Sequence, residues 1–337
     1  MVIITGNVLR LSGHILAGAI VALAAAWGVV ALWYQAPGAA GKSVIALWAL
    51  FSAAVLASFW QGRMLLGVAA FALAFAALLV WWSLIPPRND LPWADDVARL
   101  ATGTIDGNVV NLHDVRNFEW RSETDYTVRW ETRSYDLDRI ESLDMIMSYW
   151  QGPAIAHMLM SFGFDDGSHV VFSVEVRRRR NQSFSEIGGF FKEFELSIIA
   201  ADENDIIRVR TNVRGEDDYL YRVRMPRAAM RSLFTAYVEQ ANALERVPRF
   251  YNTVTVNCTT LVYHMMKRIL GRLPFDYRVV FTGYLPGYVY QVGGLDHRYS
   301  LQDLRERGRI TERAKHSSRA EFSTEIRRGI PPLPAGD

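Results

Sequence analysis

The chain carries one cysteine, Cys258, within TVTVNCTTLVYHMMKRILG, residues 253–271. This stretch reads as a short β-rich run, then Asn257 and Cys258, then a helix opened by Thr259 and Thr260. Lys267 and Arg268 fall in the last helical turn and Gly271 can end it. Cys258 is therefore expected at or beside a helix N-terminus, where backbone N–H groups and the helix dipole favour a thiolate. A cysteine nucleophile would be placed there. The plain alternative is a free cysteine serving as a small buried hydrophobe. Nucleophilic chemistry requires a histidine that meets the thiol in the fold.

Seven histidines are available. His14 lies in an apolar run, His316 in the C-terminal tail, and His113 has no motif around it. His264 follows Cys258 by six positions, about 240° around a helix, and points away from it. His297 follows a loop and stays open as a candidate. His157 and His169 lie in two strand-like runs, IAHMLMSFGF (155–164) and HVVFSVEVR (169–177), joined by the turn signal Asp165-Asp166-Gly167. A three-residue turn sets Phe164 against Ser168, His157 against Glu175 and Leu159 against Ser173. A carboxylate beside an imidazole fixes the ring and stabilises the imidazolium. Cys258, His157 and Glu175 would then be nucleophile, base and orienter. The alternative is an exposed His–Glu strand pair, and a one-residue slip in register would move Glu175 out of line.

The elements that must position these residues follow a membrane anchor. The first 87 residues hold almost no charge, whereas the remainder is rich in Arg, Asp and Glu. Residues 14–34, 43–60 and 64–85 are apolar runs, each long enough to cross a bilayer core of about 30 Å as a helix. Trp and Tyr collect at several of their ends. The first run is too long for the apolar region of a signal peptide, and two more spans follow it. Three spans put the termini on opposite sides, and the few loop charges do not select an orientation.

After the Pro-broken exit PPRNDLPW (86–93), residues 104–133 have a β-like pattern. Leu137, Ile140, Leu143 and Ile146 give 136–150 a helical spacing. Further strands are expected at 194–200, 205–211 and 219–224, and an amphipathic helix at 227–245. The Gly/Tyr-rich segment 282–294 reads as a loop, with Tyr284, Tyr288 and Tyr290 as candidates for interfacial contact. The chain thus divides into an anchor (1–87), an α+β domain (88–300) and a charged, partly disordered tail (301–337).

Other classes find little support. A net charge of +2 gives no case for nucleic acid. No glycine loop is built for nucleotide phosphates, and no cofactor is expected. Asp202-Glu203-Asn204-Asp205 lacks EF-hand spacing and reads as a β-turn, so no metal is expected. The run Arg177–Arg180 reads as a solvated, strand-alternating charge run, with anionic headgroup contact as the second reading near a membrane. Nothing in the sequence fixes an oligomeric state.

Several pieces in fixed order resemble the Lnb N-terminal periplasmic domain family, named for a bacterial lipoprotein N-acyltransferase. They are VRNFEWRSETDY, AHMLMSFGFDDGSHVVFSVEVRR, GGFFKEFELSIIAADENDIIRVRT and RFYNTVTVNCTTLV, within about Val109 to Tyr284. The architecture also resembles a permuted papain-like fold of the lecithin–retinol acyltransferase type. There a histidine on an early strand precedes an Asn-Cys pair opening a helix, roles that fall here on His157 and Asn257-Cys258. A second histidine twelve residues on would be His169; the strand geometry prefers Glu175, with Ser173 next. The resemblance implies an inner-membrane protein with a cytoplasmic N-terminus and a periplasmic cysteine domain. It also implies an acyltransferase that takes an acyl chain from a membrane phospholipid or lipoprotein through a Cys258 thioester; backbone N–H groups at the start of the 259–270 helix, with Asn257 helping, would stabilise the oxyanion. A cysteine amidase or peptidase on cell-wall peptides and a non-enzymatic membrane protein are the other readings.

Overall fold

The computed structural model describes residues 2–333, with side chains from Leu11 onward. Two compact units form: residues up to Arg88 together with Ser185–Glu193, and Asn89–Phe184 together with the chain from Phe194.

The first unit contains α1 (Val2–Gln35), α2 (Gly38–Trp60) and α3 (Met64–Ser83). Val21, Leu32, Trp48, Val55, Phe71 and Leu78 fill the seam between them. Gly28 permits the close approach, since a Cβ there would lie 2.6 Å from Trp48 Nε1. That indole N–H donates to the Ala25 carbonyl at 3.0 Å, so it is satisfied without water. The outward side chains, including Leu16, Leu23, Leu65 and Leu73, are apolar as well. A helix bundle that is apolar inside and out belongs in lipid. Leu11–Gln35, Gly38–Trp60 and Met64–Ser83 are each long and apolar enough to cross a membrane. Only Ala36 and Pro37 separate α1 from α2.

The second unit is built on β1 (Thr102–Asp106), β2 (Val109–Arg116), β5 (Trp130–Asp136), β6 (Ile140–Gln151), β7 (Ile155–Phe164), β8 (His169–Arg177), β9 (Glu195–Ala201) and β10 (Asp217–Arg222). The sheet order is β1-β2-β9-β8-β7-β6-β10, with β5 also paired to β2. All pairs are antiparallel except β2–β9. A separate ribbon joins β3 (Glu119–Trp120) and β4 (Tyr126–Thr127). Helices α4 (Glu203–Arg208), α5 (Arg227–Arg246), α6 (Thr260–Leu270), α7 (Leu285–Gln291), α8 (Leu301–Gly308), α9 (Thr311–His316) and α10 (Phe322–Ile326) cover it. One sheet face packs on α5, α6 and α7 through Met145, Met160, Phe162, Phe172, Phe234 and Tyr237. The other packs on α4, α9 and α10 through Ile146, Leu159, Ile199, Ile206 and Phe322.

Burial on both faces explains a correction. Residues 140–151 are a strand rather than a helix, because a central strand covered on both sides loses the alternation that marks strands. Residues 205–211 are helical, not extended. Asp202 caps α4 by accepting from the Asn204 N–H at 2.9 Å, and a π-helical turn, Val209–Arg214, follows. The acidic quartet is therefore a helix start. Its buried Glu203 and Asp205 pair with Arg327 and Arg116. Within the Tyr-rich loop, 285–291 forms α7. Tyr288 is buried and donates to the Pro274 carbonyl, so only Tyr284 of the three tyrosines is exposed. The tail is ordered to residue 333, since Ile310, Ala314, Phe322 and Ile326 pack into the sheet; the final PAGD lies outside the described residues. Arg177 is buried rather than solvated: it donates to Asn89, Val97 and Ala98 and lies over the Trp93 ring.

Candidate active site

The β7–β8 hairpin places the histidine. Gly167 takes the left-handed conformation at φ +79° and its N–H returns to the Phe164 carbonyl at 3.0 Å. The ladder runs from Gly163–His169 to Leu159–Ser173 and ends there. Just beyond, His157 Nε2 lies 3.1 Å from Glu175 Oε1 and 2.7 Å from Ser173 Oγ. Ser173 donates its one hydroxyl proton to Glu175 at 2.7 Å. Nε2 must therefore be the donor toward Ser173 and Glu175. This leaves Nδ1 as the ring nitrogen on the side of Cys258, whose side chain helps raise the His157 pKa although no Cys258–His157 hydrogen bond of ordinary geometry forms among the described residues.

Burial acts to depress the His157 pKa. Burial is the largest single influence and Arg210 adds to it, but the Glu175 carboxylate, by charge and hydrogen bond, together with the Cys258 side chain outweighs both, so the imidazole is pushed up to about 9. Burial alone would raise Glu175, but His157 and Arg210 hold it well below the usual carboxylate range. Arg210 stands on the π-helical turn, a rare geometry frequently found at functional sites. It spans Glu175 and Glu216 at 3.0 Å each. Ser148 Oγ lies between Glu216 and Asp218 in hydrogen-bond contact with both, its one proton serving one of them. Burial pushes Asp218 up to about 7, and its Oδ2 has no partner among the described residues.

These residues form a polar row across the sheet. Asp218 pairs with Ser148, Ser148 with His157, and Glu175 with Ser197, on β10, β6, β7, β8 and β9. Arg210, Glu216 and Asp218 escape sequence reasoning. Arg210 sits in an alternating run that reads as a strand, and its acidic partners are set by sheet pairing rather than by local spacing.

The loop before α6 places the sulfur. Asn257 Oδ1 accepts from the Thr259 and Thr260 N–H groups at 3.0 and 2.9 Å, while Nδ2 donates to the Thr253 carbonyl at 2.7 Å. Asn257 thus caps the helix entrance with both ends of its amide committed. The first-turn N–H groups expected to face an oxyanion are bonded to it. The Cys258 N–H carries no hydrogen bond among the described residues. Thr259 Oγ1 donates to the Val279 carbonyl at 2.6 Å, pinning the loop. Cys258 itself is buried, only 6% exposed.

The remaining histidines lie in other surroundings. His169 Nδ1 contacts the Gly167 carbonyl at 3.0 Å; burial lowers its pKa within the field of Glu203, Arg327 and Asp144. His297 is exposed, contacts the Tyr290 carbonyl and packs on the Tyr290 ring. His264 is exposed on α6. A surface cavity of about 490 Å³ is lined by Arg227, Arg231 and Glu239, on residues separate from this site.

A family model described as Lnb N-terminal periplasmic domain matches residues 126–283. The matched segment contains His157, Ser173, Glu175, Arg210, Asn257 and Cys258. No curated protein and no solved structure matches the chain.

Proposed function

We propose that this protein is a membrane-anchored cysteine acyltransferase: residues 126–283 match the Lnb N-terminal periplasmic domain model, and three helices of the chain are long and apolar enough to cross a membrane. Its substrate is an ester-linked acyl chain of a phospholipid or lipoprotein. The observation that carries the reading is the His157 imidazole held by Ser173 and Glu175, with Cys258 near enough to help raise its pKa. The order of a histidine strand before an Asn-Cys helix supports a permuted papain-like arrangement. We place the chain in the inner membrane, with the N-terminus in the cytoplasm and the domain in the periplasm.

In the first half-reaction the neutral fraction of His157, the minority form below about pH 9, takes the thiol proton and the Cys258 sulfur attacks the ester carbonyl. The oxyanion is met by the unbonded Cys258 N–H. As the tetrahedral intermediate collapses, the C–O bond breaks and the His157 imidazolium protonates the departing alkoxide. The acyl chain is left as a thioester. In the second half-reaction an amine, alcohol or water attacks the thioester carbonyl as His157 takes its proton; the C–S bond then breaks and His157 returns the proton to the departing Cys258 sulfur. Ser173 and Glu175 keep the ring oriented and stabilise its charge through both halves. Anchoring in the bilayer replaces a search in solution for a substrate that does not leave the membrane.

Intact-mass spectrometry of the full chain after incubation with membrane lipids tests this. An acyl adduct on Cys258 is expected, lost in both Cys258→Ser and His157→Ala. Cys258→Ser should melt close to the parent, because His157 is near enough to partner its hydroxyl. Full acyl transfer in Cys258→Ser would refute the mechanism; adducts with cell-wall peptides and none with lipids would make it an amidase.

A further inference from the structure

The segment after α6 turns large apolar side chains to solvent. Phe275, Tyr277 and Phe281 are 65%, 62% and 52% exposed, and Leu270 and Tyr284 are open as well. The Tyr277 and Phe281 rings meet edge to face at 6.4 Å. Phe275 meets Tyr263 at 5.9 Å. The backbone beneath is tied down: the Val279 carbonyl accepts from Thr259, and Thr282 Oγ1 accepts from the Ala156 N–H at 2.9 Å. These ties lie one residue from Cys258 and one from His157, so the rings stand on a fixed frame beside the site. So many large apolar groups in one short surface segment mark an interaction surface.

The neighbouring charge is of one sign. Lys267, Arg268 and Arg272 are exposed, and none forms an ion pair among the described residues. The single acid between 259 and 285, Asp276, is engaged by Arg278 at 2.8 Å. Aromatic rings flanked by unpaired cations fit the headgroup–acyl boundary of an anionic bilayer, with rings at the boundary and cations at the lipid phosphates. We infer that residues 267–284 form a surface that docks the domain onto anionic lipid. The three membrane-crossing helices of the same chain keep a bilayer within reach. This inference stands whether or not Cys258 is a nucleophile.

The full chain in nanodiscs of phosphatidylcholine, with or without phosphatidylglycerol, provides the test. In the unsubstituted chain, amides of 270–284 should exchange hydrogen several-fold more slowly in the anionic discs; equal exchange overturns the inference. A nitroxide at Phe281→Cys in a Cys258→Ser background should be more accessible to oxygen than to a water-soluble nickel chelate. Water-like accessibility overturns it. Lys267→Gln, Arg268→Gln and Arg272→Gln should each lower the docked-to-free ratio about fivefold. An unchanged ratio, or protection that disappears at one chain per disc and so reports a second copy, overturns it too.

Discussion

Glu175→Gln keeps the shape of the side chain beside His157 and removes its charge. The His157 imidazole titrates at about 9 against an ordinary 6.5. Burial pulls the value down, Glu175 is the largest influence pushing it up, and Arg210 opposes protonation. Without the carboxylate, burial and Arg210 face only the influence of the Cys258 side chain. The midpoint should then drop below 6.5, a fall of at least about 2.5 units, or roughly 3 kcal/mol of lost preference for the imidazolium. The readout is the His157 Cε1 shift of ¹³C-histidine-labelled full chain in nanodiscs, titrated over about pH 5 to 10 and assigned with His157→Gln. A parent midpoint near 6.5, or one that Glu175→Gln leaves in place, would refute the electrostatic account of the site. Stability should follow. Since the folded pKa exceeds the unfolded one, the folded state keeps a proton that the unfolded chain loses between 6.5 and about 9. The stabilisation is complete below 6.5 and lost as pH rises through about 9. The parent melting temperature should fall across that window, and Glu175→Gln should flatten the fall.

Two other substitutions probe the buried charges. Asp218 titrates at about 7 instead of 3.8, so its neutral form favours the fold and stability declines as pH rises between those values; Asp218→Asn should shrink the difference between melts at about pH 5 and 8. Arg327→Met should leave Glu203 and Asp144 without their shared cation. The cost should be about 3–5 kcal/mol in denaturant titration, with faster hydrogen exchange over 311–326; an unchanged midpoint would show that the tail is held by apolar packing alone.

Much of the arrangement around His157 was legible because its signals are local. Asp165-Asp166-Gly167 fixes the hairpin register, and period-two parity then sets Leu159 against Ser173 in the ladder. Asn257-Cys258-Thr259-Thr260 carries its own capping chemistry. The apolar helices need only length and hydropathy. What failed depended on distant partners. β6 was unreadable as a strand because helices from much later in the chain cover both faces. Arg177 looks solvated until Asn89, Val97 and Ala98 arrive from the start of the domain. The tail looks disordered by charge, but Arg327 reaches across more than a hundred residues to Glu203. Arg210 was missed because both partners reach it only through the fold.

The sheet contains a comparison that bears on what the His157 row is for. On the same face, separated by the mostly apolar row Leu220, Ile146 and Leu159, runs a second polar row in which Arg222 pairs with Asp144 and Asp144 with Ser161. Arg327 closes that row by binding Asp144 and Glu203. Every charge in it is matched at close range, and its effect is structural: it fastens α10 to the sheet. The His157 row is matched differently. It leaves Asp218 Oδ2 without a partner and holds an imidazole far above its ordinary pKa. Buried ionic groups of this kind contribute little net stability compared with well-packed apolar residues. A row built only to hold the sheet would resemble its neighbour. The imbalance is concentrated in the row that holds His157, and a poised proton on that imidazole is what a thiol nucleophile requires.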